Sequence, residues 1–161
     1  MRVRKQQRLQ EYDYRSPGIY FVTITLDNKK FVFGKIIDEK MYLNKYGKIL
    51  NECWRDLPNH YMNIELDEYV IMPDHFHGII QIIDRIYVRN GFKPFRTGNK
   101  IHGLPEIIRA FKTFSSRKIN DLQSKKSFKW HKSFNDRIIR KNGYELERFR
   151  NYIINNPKNF E

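Results

Sequence analysis

The sequence predicts an α+β fold, an antiparallel sheet of four or five strands backed by helices. Three observations lead there. Apolar residues alternate over residues 18–26, and a β-branched run fills 78–83, the marks of strands. Two stretches, opening at Asn44 and Pro105, repeat their apolar positions at three and four, the mark of helices. A Pro73-Asp74 turn joins two long strand candidates into a hairpin expected at the sheet centre.

The elements follow in chain order. Residues 1–16 are polar and read as a loose basic arm; residues 17–161 read as one domain, since a chain of 161 residues supports a single core. In the first strand, Gly18 to Leu26, Tyr20, Val22, Ile24 and Leu26 share one face, and Phe21, Thr23 and Thr25 the other. A short β excursion over 31–37 and 41–43 turns near Asp38-Glu39. Asn44 caps a helix with apolar positions Tyr46, Ile49, Leu50, Cys53, Trp54 and Leu57, and Pro58 is expected to stop it. Residues 63–72 and 75–83 form the hairpin. Residues 87–103 carry Gly91, Pro94, Gly98 and Gly103 without a usable period and read as a long loop. A helix over 105–122 buries Leu104, Ile107, Ile108, Phe111, Ser115, Ile119 and Leu122. A last strand near 136–140 turns at Asn142-Gly143 into a final helix from Glu145, which Pro157 ends.

Composition narrows the function. Hydrophobic content of 40% with 15% aromatics supplies a core and argues against global disorder. The single Cys53 excludes an internal disulfide and fits a reducing, cytoplasmic setting. No stretch approaches the ~20 apolar residues of a membrane-spanning helix. The formal net charge is +13, and its excess is local: residues 85–118 hold nine cations against one acid, Glu106. Arg85, Arg89, Lys93, Arg96, Lys100, Arg109, Lys112 and Arg117 are the candidate nucleic-acid contacts. Tyr87, Phe92 and Phe95 lie among them, and cations with flat rings suit phosphates and unstacked bases. Charge and rings alone do not separate DNA from RNA.

Chemistry concentrates in two places. His75 and His77 stand one residue apart in a strand, so they point to one face, roughly 7 Å apart, while Phe76 points into the opposite layer. One divalent ion can bridge such a pair. On the final helix, Leu146, Phe149 and Ile153 form the core stripe, and Tyr152 and Asn156 lie one above the other at its edge. Asn156 ends the helix before Pro157, leaving an amide oxygen as a hard ligand; Asp74 is a rival third ligand. The ordinary alternative is that Tyr152 packs on the core and Asn156 caps the helix.

These residues, taken together, resemble a known family. Pro17 to Thr23, Leu66 to His77, Ile107 to Lys112, Trp130 to Arg140 and Tyr152 to Pro157 occur in an order and spacing similar to the REP-associated tyrosine transposases. The same pattern relates them to the small single-strand insertion-sequence transposases of the HUH superfamily. The resemblance implies a ferredoxin-like domain with the HUH histidines, His75 and His77, on a central strand. It implies Tyr152 as the catalytic nucleophile and Asn156 as the third metal ligand. Two positions depart from the family pattern: Asp74 stands where relatives usually have Asn, and His131 where they commonly have Gln.

The implied activity is that of a strand transferase on single-stranded DNA beside a hairpin or repeat. A free phenol is only about 0.1% ionised at pH 7, so the nucleophile needs help from a divalent ion, and N/N/O ligation with a phosphate suits magnesium or manganese. A 5′-phosphotyrosine would keep the bond energy and allow rejoining without ATP. The expected protein acts as a monomer or homodimer, in the cytoplasm, on the nucleoid when bound to DNA. A non-catalytic, domesticated nucleic-acid-binding protein would need the charge but not the site. A metal-dependent hydrolase using water would need His75 and His77 but not Tyr152.

Overall fold

The computed structural model describes residues 11–28, 32–88, 91–94, 100–140 and 143–160. Strands β1 (Gly18–Thr25), β4 (Ile64–Ile71), β5 (His75–Ile82) and β8 (Asn135–Ile139) form one antiparallel sheet in the order β4-β5-β1-β8. Two separate hairpins, β2–β3 (Gly34–Ile37, Lys40–Leu43) and β6–β7 (Arg85–Val88, Gly91–Pro94), stand outside it. Helices α1 (Lys45–Arg55), α2 (Leu57–His60) and α3 (Leu104–Asp121) accompany α4 (Tyr144–Asn155), which runs into a 3-10 turn at Asn156–Asn159.

The alternation along β1 sorts its side chains into two layers. Tyr20, Val22, Ile24 and Leu26 are buried with Trp54 of α1 and Phe111 of α3 in a large aromatic core. Trp54 lies 4.6 Å from Phe76 and 5.2 Å from Phe111, ring centre to ring centre. Here β5 must pass close beneath the indole. A Cβ on Gly78 would sit 2.8 Å from the Trp54 ring, so only glycine fits directly after the second histidine. The opposite face carries a thinner layer, in which Ile19, Ile79 and Ile139 meet Ile153 of α4, flanked by Phe21, Val70, Leu146 and Phe149.

Two polar ties hold α4 on that face. At its start Glu145 accepts from the Arg140 N–H at 2.9 Å and from Arg137 at 3.1 Å, which ties it to β8. Further along, Arg150 donates to both oxygens of Asp67, at 2.9 and 2.6 Å. Asp67 lies in an irregularity of β4 where the register with β5 shifts between Leu66 and Tyr69. The Arg150 bonds hold the Asp67 carboxyl below its usual range.

Several elements differ from the sequence expectation. The 64–82 hairpin is not wholly central, because β4 is an edge and the sheet centre is β5 with β1. Pro58 does not simply stop a helix: α1 has already ended, and the proline occupies the first turn of α2, where its missing N–H costs nothing. Part of the expected 87–103 loop is the β6–β7 hairpin, whose Gly91 takes φ +110°. Leu122 is exposed just past the end of α3, off the buried stripe. Residues 1–10 of the expected arm lie outside the described residues. Residues 11–16 pack rather than hang free: Tyr12 and Tyr14 rest on the main core, and the Tyr14 carbonyl accepts from the Leu104 N–H at the start of α3.

Candidate active site

The register of the sheet assembles the site. Thr23 on β1 lies opposite His77 on β5, and Thr25 opposite His75. Cross-strand partners share a face, so both histidines face α4, away from the aromatic core. Their ring centres are 4.7 Å apart and nearly perpendicular, closer than the strand repeat alone suggests, because the two rings lean together.

Each imidazole has its Nδ1 engaged. The His75 Nδ1 lies 2.6 Å from the Asp74 carboxylate, and the His77 Nδ1 2.8 Å from the Thr23 hydroxyl. With the ring proton on Nδ1, each Nε2 keeps its lone pair, the arrangement in which outer partners orient metal-binding histidines. Asp74 is thus seated as an orienting group for His75. His77 is only 6% exposed and stacks on Phe21 at 5.3 Å. Burial, helped by the neighbouring His75, pushes its pKa down to about 3. It is therefore neutral at physiological pH, as a ligand must be.

Helix α4 brings the tyrosine. The Tyr152 ring centre lies 5.4 Å from that of His77 and 5.9 Å from that of Phe21. The residue is 49% exposed, so its phenol is not consumed by core packing. Asn156 is 9% exposed where α4 passes into the 3-10 turn, and Phe160, just beyond, places its ring 6.3 Å from His75. Asn156 thus falls between a residue against His77 and a residue against His75. Among the described residues no group of three or more His, Cys, Asp or Glu could hold a metal. The fit to a divalent ion therefore rests on two imidazoles with free Nε2 atoms and an amide oxygen. That set matches the ligand chemistry of such an ion.

The candidate nucleic-acid residues disperse. Arg85 and Lys93 lie on the β6–β7 hairpin, and Arg89 and Arg96 outside the described residues, as does Phe95. Lys100 pairs with Glu106 at 3.2 Å. Arg109 and Arg117 are exposed on α3. Lys112 donates to the carbonyls of His131 and Lys132, at 2.8 and 3.2 Å, and pins that loop. Sequence reasoning missed Thr23 and Phe21 as site residues. Both stood on the correct face of β1, but only the β1–β5 register reveals which histidine they meet.

No protein-family profile matches the chain. A structure of a REP-associated tyrosine transposase bound to a REP hairpin superposes with a TM-score of 0.60 at 17% identity, covering 93% of this chain and 73% of that one. A protein of Deinococcus radiodurans R1 assigned as a transposase gives 0.52 at 16%, covering 92% and 95%. The fold is the one these two structures share, an α+β sandwich whose four-stranded antiparallel sheet here carries the paired histidines on a central strand. In sequence the chain is 35% identical over 165 residues to an uncharacterised protein of Haemophilus influenzae, covering 96% of this chain and 88% of that one. It belongs to the same family as that protein.

Proposed function

We propose that the protein is a transposase-like strand transferase that cuts and rejoins single-stranded DNA beside a hairpin or repeat. The observation that carries this reading is the meeting of Tyr152 with the histidine pair: a half-exposed phenol beside a neutral imidazole, on a helix that ends at the buried Asn156. His75, His77 and the Asn156 amide oxygen would hold a magnesium or manganese ion, which supplies positive charge to the scissile phosphate. The Tyr152 oxygen attacks the phosphorus in line and gives up its proton to solvent, while the bond to the 3′ oxygen breaks and that oxygen takes a proton from solvent. The products are a 5′-phosphotyrosine and a free 3′-hydroxyl. Attack by a second 3′-hydroxyl reverses the step and joins strands. Asp74 and Thr23 keep the two imidazoles in the ligating tautomer.

The DNA partner is supported by the +13 charge and by the hairpin-bound structural neighbour. No described helix is long and apolar enough to cross a membrane. The test is incubation of the protein with end-labelled hairpin DNA carrying single-stranded flanks, with manganese, followed by a denaturing gel. A labelled, protease-sensitive adduct is expected with the wild-type chain and none with Tyr152→Phe. Cleavage that persists in Tyr152→Phe means a water nucleophile and overturns the assignment.

A further inference from the structure

We infer that the segment from Lys129 to Phe134 carries the unpaired DNA flank off the histidine face of the sheet and into a basic cleft beside α3, gripping it by its phosphates. This rests on the DNA reading above. At the crossing His131 donates a hydrogen bond to a backbone phosphate.

The sheet fixes where His131 stands. Leu26 and Trp130 form an isolated antiparallel bridge, and the His131 N–H donates to the Thr25 carbonyl at 2.9 Å. Thr25 is also the partner of His75 on the other side of β1. Trp130 points into the main core, where its indole N–H reaches Ser115 at 3.0 Å. Alternation therefore sets His131 on the opposite face, the one that carries His75. The two histidines are separated by two inter-strand spacings, about 10 Å.

The chemistry of His131 suits a phosphate. It is exposed, and its Nδ1 accepts from the Ser133 N–H at 3.3 Å, which leaves the ring proton on Nε2 as an outward donor. The loop does not need to order on binding. Lys112 already clamps the carbonyls of His131 and Lys132 with charge-assisted bonds.

Beyond His131 the same segment forms one wall of a cleft of about 860 Å³, with α3 as the other. Lys100, Arg109, Arg117, Lys129 and Lys132 line it, all exposed, against one carboxylate. That carboxylate, Glu106, is already shared by Lys100 and His102. The cations thus outnumber acids where a polyanion would lie. The aromatic residues in the lining, Trp130 and Phe134, are buried, at 5% and 6% exposure, so they offer bases no open ring to stack on. The cleft is therefore built to hold phosphates.

The test uses full-length Tyr152→Phe protein, so that binding is measured without cleavage, and fluorescence anisotropy on one hairpin with flanks of increasing length. Affinity is expected to rise with flank length. Lys129→Ala/Lys132→Ala should weaken the flanked hairpin about tenfold, leave the blunt hairpin unchanged, and lower the log–log salt slope by ~1.4 for two lost phosphate contacts. Lys48→Ala/Lys125→Ala, two exposed cations outside the cleft, should change neither. His131→Ala should weaken flanked DNA and His131→Gln, which keeps a donor, should restore it. Equal losses on blunt and flanked hairpins, or an unchanged slope, would each overturn the inference. If flank dependence survives but wild-type protein forms no adduct, the strand-transfer reading fails and the cleft stands. If adducts form but flanks and the lysine pair make no difference, the cleft fails alone.

Discussion

The two faces of the sheet are built from the same strands, yet they are packed to different ends. Under α1 and α3 lies an almost wholly apolar layer of Trp54, Phe76, Phe111 and Trp130, with rings in contact and side chains sealed from water. Under α4 the buried apolar cluster of described residues is small, Ile19, Ile79, Ile139 and Ile153, and it shares the face with Thr23, His75, His77 and Tyr152. The first face supplies the stability that lets the second remain polar and partly open. Protonating buried His77 costs stability there, and the helix above it is held by ion pairs at its flanks as much as by packing.

If that division is correct, substitutions on the two faces separate activity from stability. The largest effect is expected from Tyr152→Phe: no detectable adduct on a denaturing gel, with a melting temperature within a few degrees of wild type, since the ring stays and the lost hydroxyl is at a half-exposed position. His75→Ala and His77→Ala should likewise abolish manganese-dependent cleavage. Next comes Phe111→Ala on the other face, which should cost about 3–5 kcal/mol in urea unfolding while any folded fraction keeps its cleavage rate. A loss of specific activity in that folded fraction would mean the faces are coupled.

The third effect concerns pH. His77 has a folded-state pKa of about 3, below its unfolded value of 6.5, so protonation favours the unfolded chain between those limits. The stability it contributes is intact above pH 6.5 and drains as pH falls toward 3, with a slope of at most ~1.4 kcal/mol per pH unit. Urea midpoints between pH 7 and pH 4 should fall more steeply for the wild type than for His77→Gln. Parallel curves would show that the ring is not held neutral by burial. The smallest effect is Asp67→Asn, which loosens the Arg150 tie to β4; on the order of 1 kcal/mol of stability is expected, together with a several-fold slower cleavage as Tyr152 loses its fixed approach.

The sequence made the strands and helices readable where the pattern was local. Alternation over 18–26 placed each side chain of β1 on its correct face, and the spacing of Leu146, Phe149 and Ile153 gave the buried stripe of α4. What it could not express was long-range pairing. Nothing near Thr23 tells that His77 lies across from it, or that β8 rather than β4 borders β1, because register and strand order are settled by contacts between residues far apart in the chain. Proline was ambiguous for a related reason: Pro58 and Pro105 both stand in the first turn of a helix, where the residue is as welcome as at a stop. The roles of His75, His77, Tyr152 and Asn156 came from resemblance to a family, and the geometry around them adds the partners that hold the imidazoles.

The irregularity between Leu66 and Tyr69 has a consequence for how the protein behaves in a crowded cell. Strand β4 is an open edge of the sheet, with a row of backbone donors and acceptors that a second chain could zip onto. A break in register bends and twists such an edge, and it removes the straight template that strand-to-strand aggregation requires. The charged pair Asp67-Glu68 at the break makes it a still poorer template. The distortion that delivers Asp67 to the tyrosine helix therefore also keeps the sheet from growing at this edge.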